Sequence, residues 1–324
     1  MVLLLLVLAA LGAGAYHWLQ QPLELVAEAP ADLSIEPGTP ARAVAQSVSD
    51  AGVKVNPSAL YWWFRLSGQA RQIKAGSYEI ESGMTPWRLL RKLVRGDEAL
   101  RSLTLVEGWN FRQVRDALAS AESLKSQTKD MTNDVLMTAL GAPGIYPEGQ
   151  FFPDTYTYAK GSSDLALLNR ARRAQSRQLQ MAWSQRSPDS PLKTPEEALI
   201  LASIVEKETG RASERAMVAG VFVNRLRLGM PLQTDPTVIY GLGESYDGKL
   251  HRRDLLTDAP YNTYTRAGLP PTPIAMPGKA SLLAAVLPDP TKALYFVARG
   301  DGSSQFSATL EEHNRAVNKY QRGQ

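Results

Sequence analysis

Ala198–Gly210 reads A-L-I-L-A-S-I-V-E-K-E-T-G, and this stretch predicts a buried helix that ends in charged residues. The preceding Thr194–Glu197 gives a helix start, with a hydroxyl N-cap, a proline at the first helical position and a glutamate three residues after the cap. Only Ser203 is polar among the first eight residues of the stretch, so the helix is expected to be buried nearly all round. Gly210 predicts its end.

The two glutamates at this helix end are distinguished by geometry. Residues two apart on a helix point in roughly opposite directions, about 200° around the axis. Glu208 stacks over Ile204 and Val205, with Leu201 one turn further back, whereas Glu206 lies over smaller, more polar residues. Desolvation on the apolar side is expected to raise the carboxyl pKa of Glu208 and keep it protonated near neutrality, as an acid catalyst requires. The alternative is that the charged residues form only a solvated helix end.

The composition is that of an ordinary globular protein and excludes several kinds of chemistry. A chain of 324 residues predicts one large domain or two smaller ones. The absence of cysteine excludes disulfides, thiolate metal sites and a cysteine nucleophile, and the three scattered histidines do not suggest a metal site. There is no phosphate-binding glycine loop. A net charge of +4 without basic runs does not call for nucleic acid. Neither a metal nor a cofactor is therefore expected.

The first residues predict a membrane anchor. Met1–Leu19 is apolar except for His17 and is about long enough to cross a bilayer as a helix. A cleaved signal peptide is the alternative, because Ala13–Ala15 has the small-residue form of a cleavage site. The aromatic residues Tyr16 and Trp18 favour an anchor. Gln20–Asp32 then predicts a tether, and the body of the protein is expected to lie outside the cytoplasm.

The next segment, residues 33–100, predicts a small module. Leu33–Pro40 and Glu79–Pro86 each read as a strand, a glycine and a helix start, and Pro57–Leu66 reads as an aromatic-rich helix. The order strand, helix, helix, strand over Leu33–Ile80 resembles a LysM-like glycan-binding module. The alternative is that the aromatic side chains only fill a core.

Residues 101–324 predict a larger, mainly helical domain with loops and a β-hairpin, so the fold class is α+β. Glu148–Tyr158 is dense in aromatic residues and contains two possible acids, Glu148 and Asp154. Leu294–Ser307 reads as a β-hairpin. The predicted helices are Phe111–Ala119, Met131–Leu140, Leu165–Trp183, the central helix, Ser213–Leu228, Ser281–Val286 and Leu310–Tyr320.

Several stretches occur together in one order and resemble the endolytic murein transglycosylases of the YceG-like family. They are E-G-Q-F-F-P-D-T-Y, A-S-I-V-E-K-E-T, F-V-N-R-L-R-L-G-M-P-L-Q-T-D-P-T-V-I-Y-G, Y-N-T-Y, G-L-P-P-T-P-I and L-Y-F-V-A, covering most of residues 148–313. The resemblance implies cleavage of peptidoglycan between N-acetylmuramic acid and N-acetylglucosamine, leaving a 1,6-anhydro end. It implies Glu208 as the catalytic residue. It also implies an inner-membrane anchor with the catalytic domain in the periplasm, and action on nascent strands beside penicillin-binding protein synthases.

A second, looser resemblance concerns substrate binding. Glu208-Thr209, Leu232-Gln233 and Tyr261-Asn262 are similar in order to motifs of soluble lytic transglycosylases with a lysozyme-like domain. This resemblance implies that Gln233 and Asn262 contact the substrate N-acetyl group; the alternative is that both satisfy loop backbone groups. Separately, three tyrosines are candidate sugar platforms or hydroxyl donors: Tyr240, Tyr261 and Tyr264.

Three interpretations follow for the chemistry. A lytic transglycosylase needs one carboxyl group, and Glu208 would serve as both acid and base. A hydrolytic muramidase needs a second carboxylate, for which Asp154 and Asp235 are the candidates. In the third interpretation, the protein binds the cell wall without being an enzyme.

Overall fold

Helices and short two-stranded sheets make up the fold, and the chain divides into two units. The computed structural model describes residues 1–27, 30–209 and 211–323. One unit consists of Met1–Ser102, Glu122–Leu124 and Thr157–Ser162, and the other of Leu103–Ala121, Lys125–Tyr156 and Ser163–Gln324. The mixture of helices and separate small sheets confirms the predicted α+β class.

The first unit packs helices onto an antiparallel pair of strands. Strand β2 (Ala31–Ile35) pairs antiparallel with strand β4 (Gly76–Ile80), with Ala31 opposite Ile80 and Ile35 opposite Gly76. Buried and exposed residues alternate along β2. Buried leucine, valine and phenylalanine side chains from the helices complete this core. The elements are α1 (Val2–Gln20), β1 (Glu24–Leu25), β2 (Ala31–Ile35), α2 (Ala41–Asp50), β3 (Val53–Lys54), α3 (Pro57–Leu66), β4 (Gly76–Ile80) and α4 (Pro86–Arg95).

The predicted order of strand, helix, helix and strand is present between β2 and β4. Helix α3 begins where the sequence places it, because Asn56 caps its first turn by accepting from the Ser58 and Ala59 N–H groups and Pro57 follows at the first position. The segment predicted as a tether contains β1, the buried Leu23 and the start of β2. Its residues 28 and 29 lie outside the described part of the chain.

The predicted single-pass anchor is contradicted by the structure. Within residues 1–27, 30–209 and 211–323, no helix combines the length and the apolar character that a membrane crossing requires. The inner-membrane location inferred from Met1–Leu19 is therefore corrected.

The second unit is built around α8 (Pro195–Glu208), the buried helix predicted from the sequence. Helix α8 packs against α7, α9, α10 and α12, and its side chains from Ala198 to Val205 are buried except for the half-buried Ile200. The elements are α5 (Phe111–Ser120), α6 (Asn133–Ala139), α7 (Asp164–Trp183), α8 (Pro195–Glu208), α9 (Arg215–Arg227), α10 (Asp235–Leu242), α11 (Arg252–Leu256), α12 (Lys279–Val286), β7 (Tyr295–Ala298), β8 (Ser304–Ser307) and α13 (Leu310–Val317).

Two further strands, β5 (Leu100–Thr104) and β6 (Thr155–Ala159), form a two-stranded sheet. The antiparallel hairpin β7–β8 matches the predicted one, with Tyr295 opposite Ser307 and Ala298 opposite Ser304. Its Phe296 and Phe306 pack against the core that contains α8. Neither α10 nor α11 is among the predicted helices.

The start of α8 follows the predicted signals. Thr194 accepts a hydrogen bond from the Glu197 N–H group at 3.2 Å, and Pro195 occupies the first helical position. Glu197 in turn accepts from the Lys193 N–H group at 2.5 Å, so its carboxylate also satisfies a backbone donor at the helix start. The helix ends at Glu208, where Thr209 has an extended backbone. The predicted stop at Gly210 lies outside the described residues.

Candidate active site

Glu208 lies half-buried at the last position of α8, and its Oε1 accepts a hydrogen bond from the Thr234 hydroxyl. Burial raises the carboxyl pKa of Glu208 above its ordinary value, as the sequence predicts. The Thr234 hydrogen bond acts in the opposite direction, and the negative charge of Asp235 adds to the increase. The group therefore lies in an environment that favours its protonated form.

Glu206 has a different environment from Glu208, although it lies only two residues away. Its Oε2 accepts the Gly278 N–H group at 2.8 Å, and its Oε1 lies 3.6 Å from the Arg215 guanidinium. The Glu206 side chain is 7% exposed. Glu206 is thus buried with a backbone donor and a charged partner, so the two glutamates differ in their partners, whereas the sequence predicts a difference in desolvation.

The segment that carries Thr234 is held in an unusual backbone conformation. Gln233 has φ of 52°, in the left-handed region that residues other than glycine rarely adopt. Hydrogen bonds to Thr263 fix it: the Gln233 N–H group donates to the Thr263 carbonyl at 3.0 Å, and the Thr234 N–H group donates to Thr263 Oγ1 at 3.1 Å. Gln233 itself is exposed next to Thr234. Strain of this kind is common where a backbone positions a functional side chain.

Arg225 of α9 organises the same segment and was not identified from the sequence. Its Nη1 donates to the Leu232 carbonyl at 2.9 Å and to Gln233 Oε1 at 3.2 Å, and its Nε donates to the Leu294 carbonyl at 2.7 Å. The side chain is buried, and burial lowers its pKa. In the sequence, Arg225 belongs to a helix end with a second arginine two residues later, a pattern typical of a solvated face, so no local signal marks it.

Asp235 and Tyr264 form a pair beside Glu208. The Tyr264 hydroxyl donates to Asp235 Oδ1 at 2.5 Å. Burial is the largest cause of the raised pKa of Tyr264, followed by the hydrogen bond to Asp235 and by its charge. The charge of Glu208 also acts on Tyr264. The structure therefore brings together Glu208, Asp235 and Tyr264.

A second group contains the other two predicted tyrosines. The rings of Tyr240 and Tyr261 meet edge to face with centroids 5.0 Å apart. The Tyr240 hydroxyl donates to Glu148 Oε2 at 3.0 Å, and the Tyr261 hydroxyl lies 2.8 Å from Thr272 Oγ1. Both tyrosines are half-buried, and Tyr240 lies on α10, the helix that begins at Asp235.

Glu148 is 3% exposed and has a role in the fold. Both of its carboxyl oxygens accept the Phe111 N–H group at the start of α5, at 3.0 and 3.1 Å. Burial raises its pKa to about 7, against the lowering effect of these bonds and of Tyr240. Asp154, by contrast, is exposed and accepts from the neighbouring Thr155 N–H group at 2.7 Å.

Asn262 is buried, and backbone groups of α11 and of the loop that follows it occupy both ends of its amide. Its Nδ2 donates towards the carbonyls of Asp254, Leu255 and Thr257, the last at 2.6 Å. Its Oδ1 accepts the Tyr264 N–H group at 2.9 Å. These bonds favour the alternative in which Asn262 organises the loop, whereas the exposed Gln233 keeps the predicted contact with substrate available.

A carboxyl group whose pKa is raised by burial is the general acid of many enzymes that cleave glycosidic bonds. Among the residues described here, no group of three or more histidine, aspartate and glutamate side chains forms a possible metal site. The model of the YceG-like family matches residues 33–319, and the chain belongs to that family.

Relatives and a solved structure agree with this assignment. The chain is 32% identical over 322 residues to the endolytic murein transglycosylase of Bacillus subtilis, covering 93% of this chain and 88% of that protein. It is 26% identical to the endolytic murein transglycosylase of Streptococcus pneumoniae, spanning 97% of this chain but 63% of that protein. The crystal structure of a yceG-like protein from Listeria monocytogenes superimposes with a TM-score of 0.56 at 29% identity, over 89% of this chain and 99% of that one.

Proposed function

We propose that the protein is a peptidoglycan lytic transglycosylase that uses Glu208 as its single acid and base. The observation that carries the proposal is the environment of Glu208, whose carboxyl group is half-buried at the end of a core helix and held by the Thr234 hydroxyl. The name endolytic murein transglycosylase, given to the relatives from Bacillus subtilis and Streptococcus pneumoniae, supports the same reaction and substrate.

In the proposed reaction Glu208 first donates a proton and then accepts one. Protonated Glu208 donates to the glycosidic oxygen between N-acetylmuramic acid and N-acetylglucosamine, and that bond breaks. The N-acetyl oxygen of the substrate stabilises the positive charge at the anomeric carbon. The Glu208 carboxylate then accepts the proton of the muramyl 6-hydroxyl, whose oxygen bonds to the anomeric carbon. The product is a 1,6-anhydro end, and no water is consumed.

The surrounding residues are assigned supporting roles in this proposal. Thr234 orients Oε1 of Glu208, which leaves Oε2 to carry the transferred proton. Arg225 holds the segment that contains Gln233, and Gln233 is placed to contact the N-acetyl group. The half-buried tyrosines are candidate sugar platforms because aromatic rings pack against the apolar faces of pyranoses.

The proposal extends to the first unit and to the biological setting. The strand–helix–helix–strand segment between β2 and β4 is proposed to be a LysM-like module that binds glycan. The module is assigned to residues 33–100 and the catalytic domain to residues 101–324. The substrate is proposed to be nascent strands, cleaved beside penicillin-binding protein synthases.

A hydrolytic muramidase is the second candidate, because the charge of Asp235 acts on Glu208. In such an enzyme a second carboxylate activates water or forms a covalent intermediate. The hydrogen bond from Tyr264 occupies one oxygen of Asp235 and leaves the other for that role.

The test is a digest of uncrosslinked glycan strands, with mass spectrometry of the new muramyl ends. Ends lighter by one water, absent with Glu208→Gln, are expected. Glu206→Gln is the matched control, because it makes the same change two residues away on the same helix. Fully hydrated ends would establish the muramidase instead. Equal cleavage by wild type and Glu208→Gln would remove Glu208 from the mechanism, and no cleavage by wild type would favour a wall-binding protein.

A further inference from the structure

An open groove of about 430 Å³ lies between α3 and α4, and none of its lining residues is assigned to the reaction. It is lined by residues that include Trp63, Gln69, Trp87, Arg91 and Arg95. All of them belong to the first unit. We call it the α3–α4 groove.

The two tryptophans give the groove aromatic surfaces. The Trp63 indole N–H donates to the Pro86 carbonyl at 3.3 Å, which holds its ring against the start of α4. Trp87 is 39% exposed although it is large and apolar. Planar rings with apolar faces of this kind stack on sugar rings as well as on other planar groups.

The groove is also positively charged. Helix α4 carries Arg88, Arg91, Lys92 and Arg95 and no acidic residue. The Arg91 guanidinium lies over the Trp87 ring, 4.5 Å from its centre, so the position of this cation is set by stacking. None of the ion pairs found among the described residues includes Arg91 or Arg95. Two guanidinium groups four residues apart on one helix therefore face the groove without a carboxylate.

We propose that the α3–α4 groove binds the stem peptides of uncrosslinked peptidoglycan through their carboxylates. This inference rests on the proposed function, because it names the part of the substrate that the first unit reads. A stacked, planar guanidinium is matched to a carboxylate, which it can bind through two parallel hydrogen bonds. Residues four apart on a helix present their side chains about 6 Å from one another, so Arg91 and Arg95 can take two carboxylates of one stem. The tryptophans contact the adjoining sugar.

A concave groove with fixed rings favours this occupant over an anionic lipid surface. Binding to lipid headgroups requires several cations spread over a face that can lie flat on the bilayer. Arg91 is half-buried and stacked on Trp87 instead. Its guanidinium is positioned for a small planar anion that enters the groove.

Binding is measured with the full chain carrying Glu208→Gln, so that the ligand stays intact. The test variant adds Arg91→Gln and Arg95→Gln, and the matched control adds Arg65→Gln and Arg71→Gln, which remove the same charge from exposed positions of the same unit outside the groove. The ligands are uncrosslinked strands with stems, strands of equal length treated with an amidase that removes the stems, and vesicles of anionic phospholipid. Thermal unfolding is compared for all variants.

Affinity for stem-bearing strands is expected to fall about tenfold in the test variant and to stay within about twofold in the control. Removing the stems is expected to lower the affinity of the parent chain for the strands by a similar factor. Added salt is expected to weaken the binding. A third variant with Arg91→Lys and Arg95→Lys keeps the charge but not the planar fork, and is expected to bind with intermediate affinity.

Equal losses in the test and control variants would overturn the proposal, because net charge alone would then explain binding. Equal affinity for strands with and without stems would overturn it too, as would loss of vesicle binding with unchanged strand binding. The outcome is independent of the cleavage reaction. If binding depends on Arg91 and Arg95 but the wild-type protein does not cleave strands, only the proposed function is contradicted. If the wild-type protein cleaves strands but the Arg91→Gln and Arg95→Gln changes leave binding unaltered, only the proposed role of the groove is contradicted.

Discussion

Glu206 and Glu208 lie two residues apart on α8 and accept hydrogen bonds from different parts of the chain, the first from the Gly278 N–H group and the second from the Thr234 hydroxyl. Glu206 also forms an ion pair with Arg215, whereas the pKa of Glu208 is raised by burial. One carboxylate thus serves the packing of the helix end, and the other is left in an environment suited to proton transfer.

Replacing each glutamate by glutamine is expected to affect different properties. Glu208→Gln should lower the cleavage rate between about a hundredfold and ten-thousandfold, the range of general acid–base catalysis, and leave the free energy of unfolding nearly unchanged. Glu206→Gln should lower that free energy by about 1–3 kcal/mol, because the largely buried Arg215 guanidinium loses a charged partner. Initial rates and denaturant unfolding of both variants check this. A stable but inactive Glu206→Gln protein would contradict the assignment.

Thr234→Val is expected to move the alkaline limb of the activity–pH profile to higher pH. The hydroxyl donates to Glu208 and lowers its pKa, so its removal lets burial raise that pKa further. A hydrogen bond worth about 1 kcal/mol corresponds to about 0.7 pH unit. The profile of kcat/KM measures the shift, and Thr234→Ser, which keeps the hydroxyl, should restore the wild-type position. A shift to lower pH would show that Thr234 does not act on Glu208 in this way.

Asp235→Asn is expected to move the same limb in the opposite direction. The negative charge of Asp235 raises the pKa of Glu208, and the neutral amide removes that contribution. Cleavage should continue, with the alkaline limb at lower pH. If Asp235→Asn instead abolished cleavage while Glu208 kept its titration, Asp235 would be the second carboxylate of a hydrolase. The pH profile and the mass of the product ends together separate these outcomes.

Glu148 is expected to make the stability of the fold depend on pH. Burial raises its pKa from 4.5 to about 7, so between these values the folded protein holds a proton that the unfolded chain releases. The free energy of unfolding should therefore fall as pH rises through this interval, by up to about 3 kcal/mol, and remain low above pH 7. Glu148→Gln should flatten this dependence. Denaturant unfolding from below pH 4.5 to above pH 7 measures it, and an unchanged slope in the variant would contradict the assignment.

The sequence predicts α8 well because its signals are local. Thr194, Pro195 and Glu197 each act within one turn of the helix start, and the apolar run that follows has no polar face. The same reasoning distinguishes Glu206 from Glu208, since both stack on residues of their own helix. The helix ends of α3 and the β7–β8 hairpin were predicted for similar reasons.

The partners of Glu208 were harder to predict because they come from distant segments. Thr234 lies 26 residues along the chain from Glu208, and an isolated threonine has no pattern that indicates such a contact. Helix α10 begins with Asp235 and Pro236 and spans eight residues, so its turn-forming start and glycines favour a loop in the sequence. Arg225 is identified only when the carbonyls around its guanidinium are known. The membrane anchor predicted from the apolar stretch Met1–Leu19 was wrong.

Burial of α8 also limits how cleavage can be regulated. The helix packs on several neighbours and carries Glu208 at its end. A rigid-body rotation of α8 would therefore expose core side chains to water. The acid is in effect fixed to the core. An activator or inhibitor must instead act on the groups that solvent reaches around it, which are Gln233, Asp235 and Tyr264. Control by a partner protein would then change the orientation and proton affinity of Glu208 rather than its position.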